Sequence, residues 1–253
     1  ANVKKKYECK RSEFENSTKN DLKNILYKLN EVGVQISQSE DTVIRAAEYL
    51  IHGKIYVRDL KRMSLSDTAI PCIVPFIGHG NIMLESNGDE CYTAGTQFVL
   101  QALQQTAPGQ LSITVINPEL RPEFSVFTRL PEFQMLIETN EIKSFFTNIT
   151  EEMVKVDSLL QKRYDSLVEL RKSVQQPVER LRVIVIQDLP KMSDSEFDNQ
   201  LLRILKGASR AGIAILFLAG KNKTIDGRLR KSIANLSNFS IFILIFHSLI
   251  VHR

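Results

Sequence analysis

Residues 183–192, VIVIQDLPKM, decide how this sequence folds. The stretch opens with four apolar β-branched residues in succession and then places two polar residues, Gln187 and Asp188, before Leu189. An uninterrupted apolar run of this length is typical of a strand that is buried on both faces of a parallel sheet. Open α/β sheets hold their ligands at the carboxyl ends of their strands, so Asp188 is the first candidate site residue.

The sequence on both sides of this strand repeats the same alternation. Short apolar runs follow one another with stretches of helical period between them, which predicts an α/β fold with a mostly parallel sheet flanked by helices. This α/β domain is expected to span residues 68–253. Its predicted strands lie in IPCIVPF, GNIMLES, QLSITVINP, LRVIVIQD, GIAILFLAG and a final run near Phe239.

One long helix is predicted from about Asn140 to Val174, because its apolar residues keep a helical period. Its exposed basic residues are expected to be Lys155, Lys162, Arg163 and Arg171, which could face an acidic partner or a DNA backbone. The same helix carries five acids, so its surface indicates a mixed-charge face suited to protein docking more than a basic stripe. These acids are Glu151, Glu152, Asp157, Asp165 and Glu169.

Residues 1–67 are more polar and predict a separate helical lobe. Apolar residues recur at spacings of three and four from Leu22 to Val32, which places them on one helix face. A second helix is predicted from Ser39, as a helix-capping residue, to Gly53, as a helix stop. Two helices joined in this way suit either a packing or docking role or a DNA-reading helix-turn-helix, and the spacing favours the first.

Composition narrows the class of protein further. A chain of 253 residues with 43% hydrophobic residues buries a substantial core, and its net charge of +4 permits nucleic-acid contact without arguing for it. Three widely spaced cysteines and the lack of a signal peptide at the start predict a reducing, cytoplasmic location. The apolar run from Phe239 to Val251 is too short for a membrane helix. Because the chain stops there, we expect it to be a fragment of a longer protein.

The apolar blocks, taken in order, resemble those of the FtsK/SpoIIIE/HerA-type P-loop ATPases over about residues 70–245. The blocks are GNIMLES with a small-residue loop after it, TQFVLQAL, PGQLSITVINPEL, FTRLPEF, EEMVKVDSLLQKRY, VIVIQDL and SRAGIAILFLAGKN. Members of that family are ring-forming DNA translocases, and relatives drive protein secretion. The resemblance implies a P-loop NTPase-like sheet of the RecA/FtsK type. It also implies a magnesium-nucleotide site and other subunits or double-stranded DNA as partners.

The predicted phosphate loop departs from the family pattern GxxxxGK[ST]. In GDECYTAGT, from Gly88 to Thr96, six residues separate the glycines instead of four, and Gly95 stands where the phosphate-binding lysine belongs. Asp89 and Glu90 add carboxylates to a loop that should attract a polyanion. Like charges about 4 Å apart repel by about 4 kcal/mol at an effective dielectric constant of about 20. Nucleotide is therefore expected to bind weakly or not at all.

Two further chemical positions of the family are altered. Asp188 matches the magnesium-side acid, but Leu189 stands where the family carries the glutamate that orients the attacking water. Gly220 and Lys221 follow the next strand, where the family usually carries a polar sensor. Arg210 resembles the arginine of the family's R-x-x-G-I block. The packing positions are retained while these chemical positions are replaced, which predicts a degenerate nucleotide site.

The candidate site residues also suit structural roles that involve no ligand. Gly88, Gly95, Thr96 and Asp188 are the nucleotide-binding candidates, and Thr96 and Asp188 would hold Mg²⁺ if Mg-ATP binds. Asp188 also suits a strand-end or helix-capping acid, and Thr96 also suits a helix N-cap. Arg210 and Lys221 are candidates for the arginine and sensor positions, although a solvated cation at a helix end suits Arg210 equally well.

Three functions follow from these observations. The favoured one is a non-hydrolysing subunit or domain of a DNA-processing or translocase assembly, such as a phage-defence system, that needs no cofactor. The second is an active ATP-dependent translocase motor on double-stranded DNA, in a homo-oligomeric ring. The third is a protein-docking module of a secretion-type ATPase. None of the three involves a membrane partner.

Overall fold

The computed structural model describes residues 44–56, 69–188, 195–220, 227–237, 239–243 and 249–252, together with Asn20, Asn24, Tyr27, Lys28 and Glu31. The chain forms two compact units, residues 1–39 with 51–73 and residues 40–50 with 74–253. The boundary predicted between residues 67 and 68 lies outside the described residues. The five isolated N-terminal residues are helical and exposed, within the stretch where the first helix is predicted.

The predicted helix from Ser39 to Gly53 is wrong where the structure describes it. Residues 45–48 are irregular, and strand β1 runs from Tyr49 to Tyr56. β1 forms a two-stranded sheet with β2, Ala69–Pro75. Long-range backbone pairing overrides the helical pattern, because Glu48 O accepts from Phe76 N at 2.7 Å and Ala47 O accepts from Ile77 N at 3.1 Å.

A seven-stranded sheet in the order β5-β4-β6-β7-β3-β8-β9 forms the centre of the second unit. The pairs from β5 to β8 are parallel, and β9 joins β8 antiparallel. This confirms the predicted α/β class with a mostly parallel sheet. The strands are β3 Ile82–Ser86, β4 Leu111–Ile116, β5 Phe133–Leu136, β6 Leu181–Gln187, β7 Ile213–Ala219, β8 Phe239–Ile243 and β9 Leu249–His252.

Helices cover both faces of this sheet. The helices are α1 Glu90–Gln105, α2 Thr139–Leu160, α3 Leu167–Val174, α4 Ser195–Gly207 and α5 Gly227–Leu236. On β7, Leu218 lies against Gly95 of α1, whereas Arg182 of β6 lies over the Phe145 ring of α2. Leu218 pairs in register with Gln187, five residues from Arg182, so the two helices lie on opposite faces. No helix in the described ranges has both the length and the apolar character to cross a membrane.

The single long helix predicted from Asn140 to Val174 is two helices. Helix α2 ends at Leu160, and Gln161 and Lys162 adopt left-handed backbone angles, with φ of 46° and 56°. Ser166 then caps α3 by accepting from Glu169 N at 3.2 Å, and Glu169 Oε2 accepts from Asp165 N at 2.6 Å. This arrangement resembles a capping box, except that the glutamate bonds the residue before the cap, and the S-x-x-E spacing was the signal that the periodicity concealed.

The basic residues predicted to be exposed on this stretch divide into two kinds. Lys155 is exposed and pairs with Glu179 at 2.6 Å. Arg171, in contrast, is fully buried, and it donates to the Glu179 carbonyl oxygen and to Gln110 Oε1. Burial lowers the pKa of Arg171. Its guanidinium therefore ties α3 to the segments that enter β4 and β6, and it is not available to an acidic partner.

Candidate functional site

The site lies at the carboxyl edge of the parallel sheet, where β3, β6 and β7 end side by side. Asp188 follows β6, Gly220 follows β7, and residues 87–89 connect β3 to helix α1. The segment after β4 also reaches this edge, and it brings Arg121. This is the edge at which ligands of open α/β sheets bind.

The connection between β3 and α1 is too short to wrap a phosphate. Helix α1 begins at Glu90, so Gly95 and Thr96 lie in its second turn and not in a loop. The Ser86 hydroxyl closes the connection by donating to Gly88 O at 2.7 Å and accepting from Cys91 N at 3.2 Å. A working phosphate loop turns such backbone N–H groups toward the ligand, but here the Cys91 amide is already bonded.

Gly95 and Thr96 serve the packing of α1. A Cβ added at Gly95 would lie 2.7 Å from Leu218 Cδ1, so a larger residue there would push α1 away from the sheet. The Thr96 hydroxyl lies 3.0 Å from Tyr92 O and 3.4 Å from Glu123 O, and it donates to these backbone carbonyls. Thr96 is not the N-cap of α1, because the helix begins six residues earlier, at Glu90.

Asp188 is buried and both of its carboxylate oxygens are engaged. Oδ1 accepts from the Tyr92 hydroxyl at 2.5 Å, and Oδ2 accepts from Arg121 Nε at 2.7 Å. The residue is 4% exposed and adopts a left-handed backbone angle, with φ of 47°. Asp188 is therefore neither a helix cap nor an open metal ligand. It is the acid of an internal ion pair.

Tyr92 connects this ion pair to the end of β7. Its hydroxyl donates to Asp188 and accepts from Gly220 N at 3.1 Å. Burial, and after it the hydrogen bond to the Asp188 carboxylate, raises the pKa of Tyr92 far above its ordinary value. A Cβ added at Gly220 would lie 2.7 Å from this hydroxyl oxygen and 3.0 Å from Gly88 O, so the site requires glycine there.

Arg121 fills the space in front of Asp188. Its guanidinium stacks 4.0 Å from the centre of the Tyr92 ring, and its NH1 lies 3.2 Å from Asp89 Oδ1 and 3.8 Å from Glu123 Oε1. Burial lowers the pKa of Arg121, but the hydrogen bond to Asp188 and the charges around it outweigh burial and raise it. One cation thus faces three carboxylates at the edge where a magnesium ion would be expected.

The backbone around Arg121 is held in place by Asn117. Asn117 Oδ1 accepts from Arg121 N at 2.8 Å, and Asn117 Nδ2 donates to Arg121 O at 2.7 Å. The turn forces Leu120 into a left-handed conformation, with φ of 55°, and its side chain is 66% exposed. A strained, exposed leucine is tolerated because the turn delivers Arg121 to Asp188.

In this structure the candidate residues offer a magnesium-nucleotide few free groups. The Asp188 oxygens and the Thr96 hydroxyl are engaged within the protein, and Gly95 supplies no cation for the phosphates. Within the described ranges, no group of three or more His, Cys, Asp or Glu side chains is arranged to hold a metal ion. Asp89 and Glu90, expected to repel a nucleotide, border the site; Asp89 pairs with Arg121, and Glu90 Oε2 is buried without a hydrogen-bond partner.

The remaining predicted site residues lie elsewhere. Arg210 precedes β7, so it lies at the amino-terminal ends of the strands, whereas Asp188 lies at their carboxyl ends. The Nε of Arg210 pairs with Asp157 at 3.1 Å. Lys221 lies outside the described residues. Sequence reasoning missed Tyr92 and Arg121, although Arg121 follows a predicted strand in NPELRPE, as a single cation between two acids. That context was the available signal, since parallel strands bring their carboxyl ends together.

Comparison with solved structures identifies the fold. The chain is similar to ATPases 2 and 3 of EssC from Geobacillus thermodenitrificans, with a TM-score of 0.62 and 16% identity over 79% of this chain and 37% of that one. The cytoplasmic domain of the type VII secretion ATPase EccC from Thermomonospora curvata matches with a TM-score of 0.59 and 11% identity, over 79% of this chain and 24% of that one. The chain thus has the α/β fold of these ATPase domains.

A third similar structure is the pCW3 conjugation coupling protein TcpA, in its monomer form with ATPγS. It matches with a TM-score of 0.56 and 14% identity, over 77% of this chain and 54% of that one. This chain therefore spans little more than a third of the EssC chain that holds ATPases 2 and 3, and about half of the TcpA chain. No family model and no curated protein sequence matches it.

Proposed function

We propose that this chain is a non-hydrolysing domain with a P-loop ATPase fold, and that it provides contacts within a larger cytoplasmic assembly. The observation that carries the proposal is the closed network at the carboxyl edge. The Asp188 carboxylate, which would serve a magnesium ion in a working site, has Arg121 on one oxygen and Tyr92 on the other. A nucleotide would have to displace both.

The residues that ATP hydrolysis requires are also missing. In-line attack on a γ-phosphate needs a residue that orients the water and cations that neutralise the developing charge. Leu189 follows Asp188 in the sequence, and Gly95 stands at the lysine position. The cation that does lie at the site, Arg121, is already surrounded by Asp188, Asp89 and Glu123. The function left to the domain is therefore to bind partners.

The similar structures support a particular kind of assembly. EccC is a type VII secretion ATPase by name, EssC is named for its ATPase domains and TcpA is a conjugation coupling protein, and in each the matched part is a fraction of a longer chain. We place this chain in a multi-subunit assembly that moves DNA or protein, with other subunits or a ring of copies as partners. A DNA-processing system, such as one for phage defence, is the favoured setting. A secretion-type docking module is the second candidate, favoured by the likeness to EccC.

The experiment that tests this function is a titration of the chain with a fluorescent ATP analogue and Mg²⁺, with and without double-stranded DNA. We expect no saturable binding and no ATP turnover under either condition. The matched control is Asp188→Ala, which removes the acid that a working site would need. A steady ATPase rate in the unaltered chain that Asp188→Ala abolishes would contradict the proposal, provided that circular dichroism shows the variant to be folded.

A titration with duplex DNA separates the two candidate settings. A domain that contacts the phosphate backbone binds without regard to sequence, and its affinity falls steeply with salt. A protein-docking domain shows little affinity for the duplex at either of two salt concentrations. Charge reversal of Lys162 and Arg163, which lie in the turn after α2, checks that any DNA binding belongs to this surface. Salt-dependent binding that this reversal abolishes would favour the DNA setting.

A further inference from the structure

A groove runs between helices α2 and α4 on the face of the sheet opposite α1. Two cavities of about 360 and 580 Å³ follow one another along it, and Thr150 and Arg203 line both. The smaller cavity has an apolar floor, whereas the larger one is polar apart from Phe197. The floor of the smaller cavity is formed by Met153, Val156, Leu160, Ile204, Gly207 and Ala211.

The two rims of this groove differ in character. On α2, the rim residue Val154 is 64% exposed, which leaves an apolar side chain beside the apolar floor. On α4, Arg203 and Lys206 are three residues apart and so share one helix face, and Arg210 follows in the turn after the helix ends at Gly207. Arg210 pairs with Asp157, but Arg203 and Lys206 have no hydrogen bond or ion pair within the described ranges. Glu196 of the same helix lines the larger cavity, so the uncompensated positive charge of the α4 rim lies at its carboxyl-terminal half, beside the smaller cavity.

The groove is also adaptable at its narrowest point. A Cβ added at Gly207 would lie 2.6 Å from Met153 Cε, so glycine brings the two helices into close contact there. The atom on the other side is the end of a flexible methionine side chain. Methionine repacks easily around differently shaped apolar groups and is common at protein-binding surfaces.

We propose that this groove binds one amphipathic helix of a partner protein, whose apolar face meets the floor and whose carboxylates line up along the α4 rim. A third helix suits the space between two packed helices, and α2 from Lys143 to Leu160 offers about 26 Å of length at 1.5 Å per residue. The proposal specifies the partner in the docking role proposed above and rests on that role. DNA is a poorer occupant, because the apolar floor and Val154 offer nothing to a phosphate backbone.

The test uses two labelled synthetic helical peptides of about 18 residues and the full chain. Both peptides carry leucines at helical spacing on one face; one carries glutamates along a flank, and the other carries lysines at the same positions. Fluorescence anisotropy measures binding. We expect the glutamate peptide to bind at least tenfold more tightly than the lysine peptide, and its affinity to fall moderately with salt.

Matched variants assign the binding to the groove. The double variant Arg203→Glu with Lys206→Glu should weaken the glutamate peptide at least tenfold, and Val154→Glu should do the same by removing an exposed apolar contact. The controls are Arg129→Glu, a single charge reversal, and Val126→Glu, which matches Val154→Glu, both at exposed positions outside the groove. All five positions are exposed, so the four variants are expected to fold.

Each outcome of these binding experiments has a different interpretation. Equal affinity for both peptides, no binding of either, or the same loss in Arg129→Glu as in the groove variants would overturn the proposal. Duplex DNA binding that the double variant abolishes, without peptide binding, would assign the rim to nucleic acid instead and overturn it as well. Saturable Mg-ATP binding together with groove-dependent peptide binding would overturn only the proposed non-hydrolysing function.

Discussion

Arg121 and Arg203 present the same guanidinium in two opposite settings. Arg121 lies at the carboxyl edge of the sheet against three carboxylates and an aromatic ring, with a side chain that is 20% exposed. Arg203 lies on the groove between α2 and α4, exposed and without a partner within the described ranges. The first arginine forms its contacts within the domain. The guanidinium of the second arginine remains available to bind another molecule. The difference is what the proposed function and the proposed docking groove both predict: contacts through the helical face and a closed carboxyl edge.

The strongest test of the contrast between these two arginines is the substitution Arg121→Ala. Removing one member of a buried ion pair leaves the other charge uncompensated, so the free energy of unfolding should fall by about 3 kcal/mol. Urea denaturation followed by circular dichroism measures it. Arg129→Ala, at an exposed position, is the matched control and should change the free energy by less than about 0.5 kcal/mol. Equal effects from the two variants would mean that the network around Asp188 contributes little to stability.

A pair of glycine substitutions compares the rigidity of the two regions. Gly220→Ala forces a methyl group against the Tyr92 hydroxyl and the Gly88 carbonyl, which should cost about 1 to 2 kcal/mol. Gly207→Ala meets only the flexible end of Met153 and gains helix propensity, so it should be neutral or slightly stabilising. Thermal unfolding of both variants measures the contrast. A destabilised Gly207→Ala beside an unaffected Gly220→Ala would reverse the assignment of rigid and adaptable regions.

The pH dependence of stability also tests the carboxyl edge, through Cys91. Burial raises the pKa of Cys91 from 9.0 to about 11, so the folded chain holds this proton more tightly than the unfolded chain. The resulting stability is fully present below pH 9 and is lost as the pH rises toward 11, with about 1 kcal/mol gone at pH 10. Urea denaturation at pH 8 and pH 10 measures the loss. Cys91→Ala should lose less between these two pH values, and an identical loss in both chains would refute the assignment.

The smallest effect is expected from Arg203→Gln. Because Arg203 is exposed and unpaired within the described ranges, its replacement should change the free energy of unfolding by less than about 0.5 kcal/mol. The same variant should still weaken the glutamate peptide. A loss of stability above about 1 kcal/mol would show that Arg203 supports the fold, and the contrast with Arg121 would disappear.

The sheet was predictable because its signals are local. The apolar runs that contain β3, β4, β6 and β7 predict buried strands. Their alternation with helices predicts that these strands run parallel. The break between α2 and α3 was missed because the apolar residues keep their helical period across Ser166. Only the capping hydrogen bonds of Ser166 and Glu169 mark the boundary. The strand β1 was missed for the opposite reason, since its pairing partners follow some 25 residues later in the chain.

The candidate site was less predictable than the fold. The altered phosphate loop and Leu189 were visible in the sequence, and they indicate what the site lacks. What occupies it depends on Arg121, which is 67 residues from Asp188 along the chain. Such a contact arises from strand order, and no local pattern encodes strand order. Arg210 was misleading in the same way, because its sequence motif does not reveal that it lies at the other edge of the sheet.

The hydrogen bonds between Asn117 and Arg121 have a consequence for any ligand that competes for Asp188. They hold the Arg121 backbone next to the carboxylate, so a competing ligand would have to displace the Arg121 side chain and not the segment that carries it. If closure is worth about 3 kcal/mol, roughly one molecule in 150 is open at equilibrium. A ligand that binds the open form at 1 μM would then show an apparent dissociation constant of roughly 150 μM. Ordinary concentrations of a weak ligand would leave the edge closed without any steric barrier.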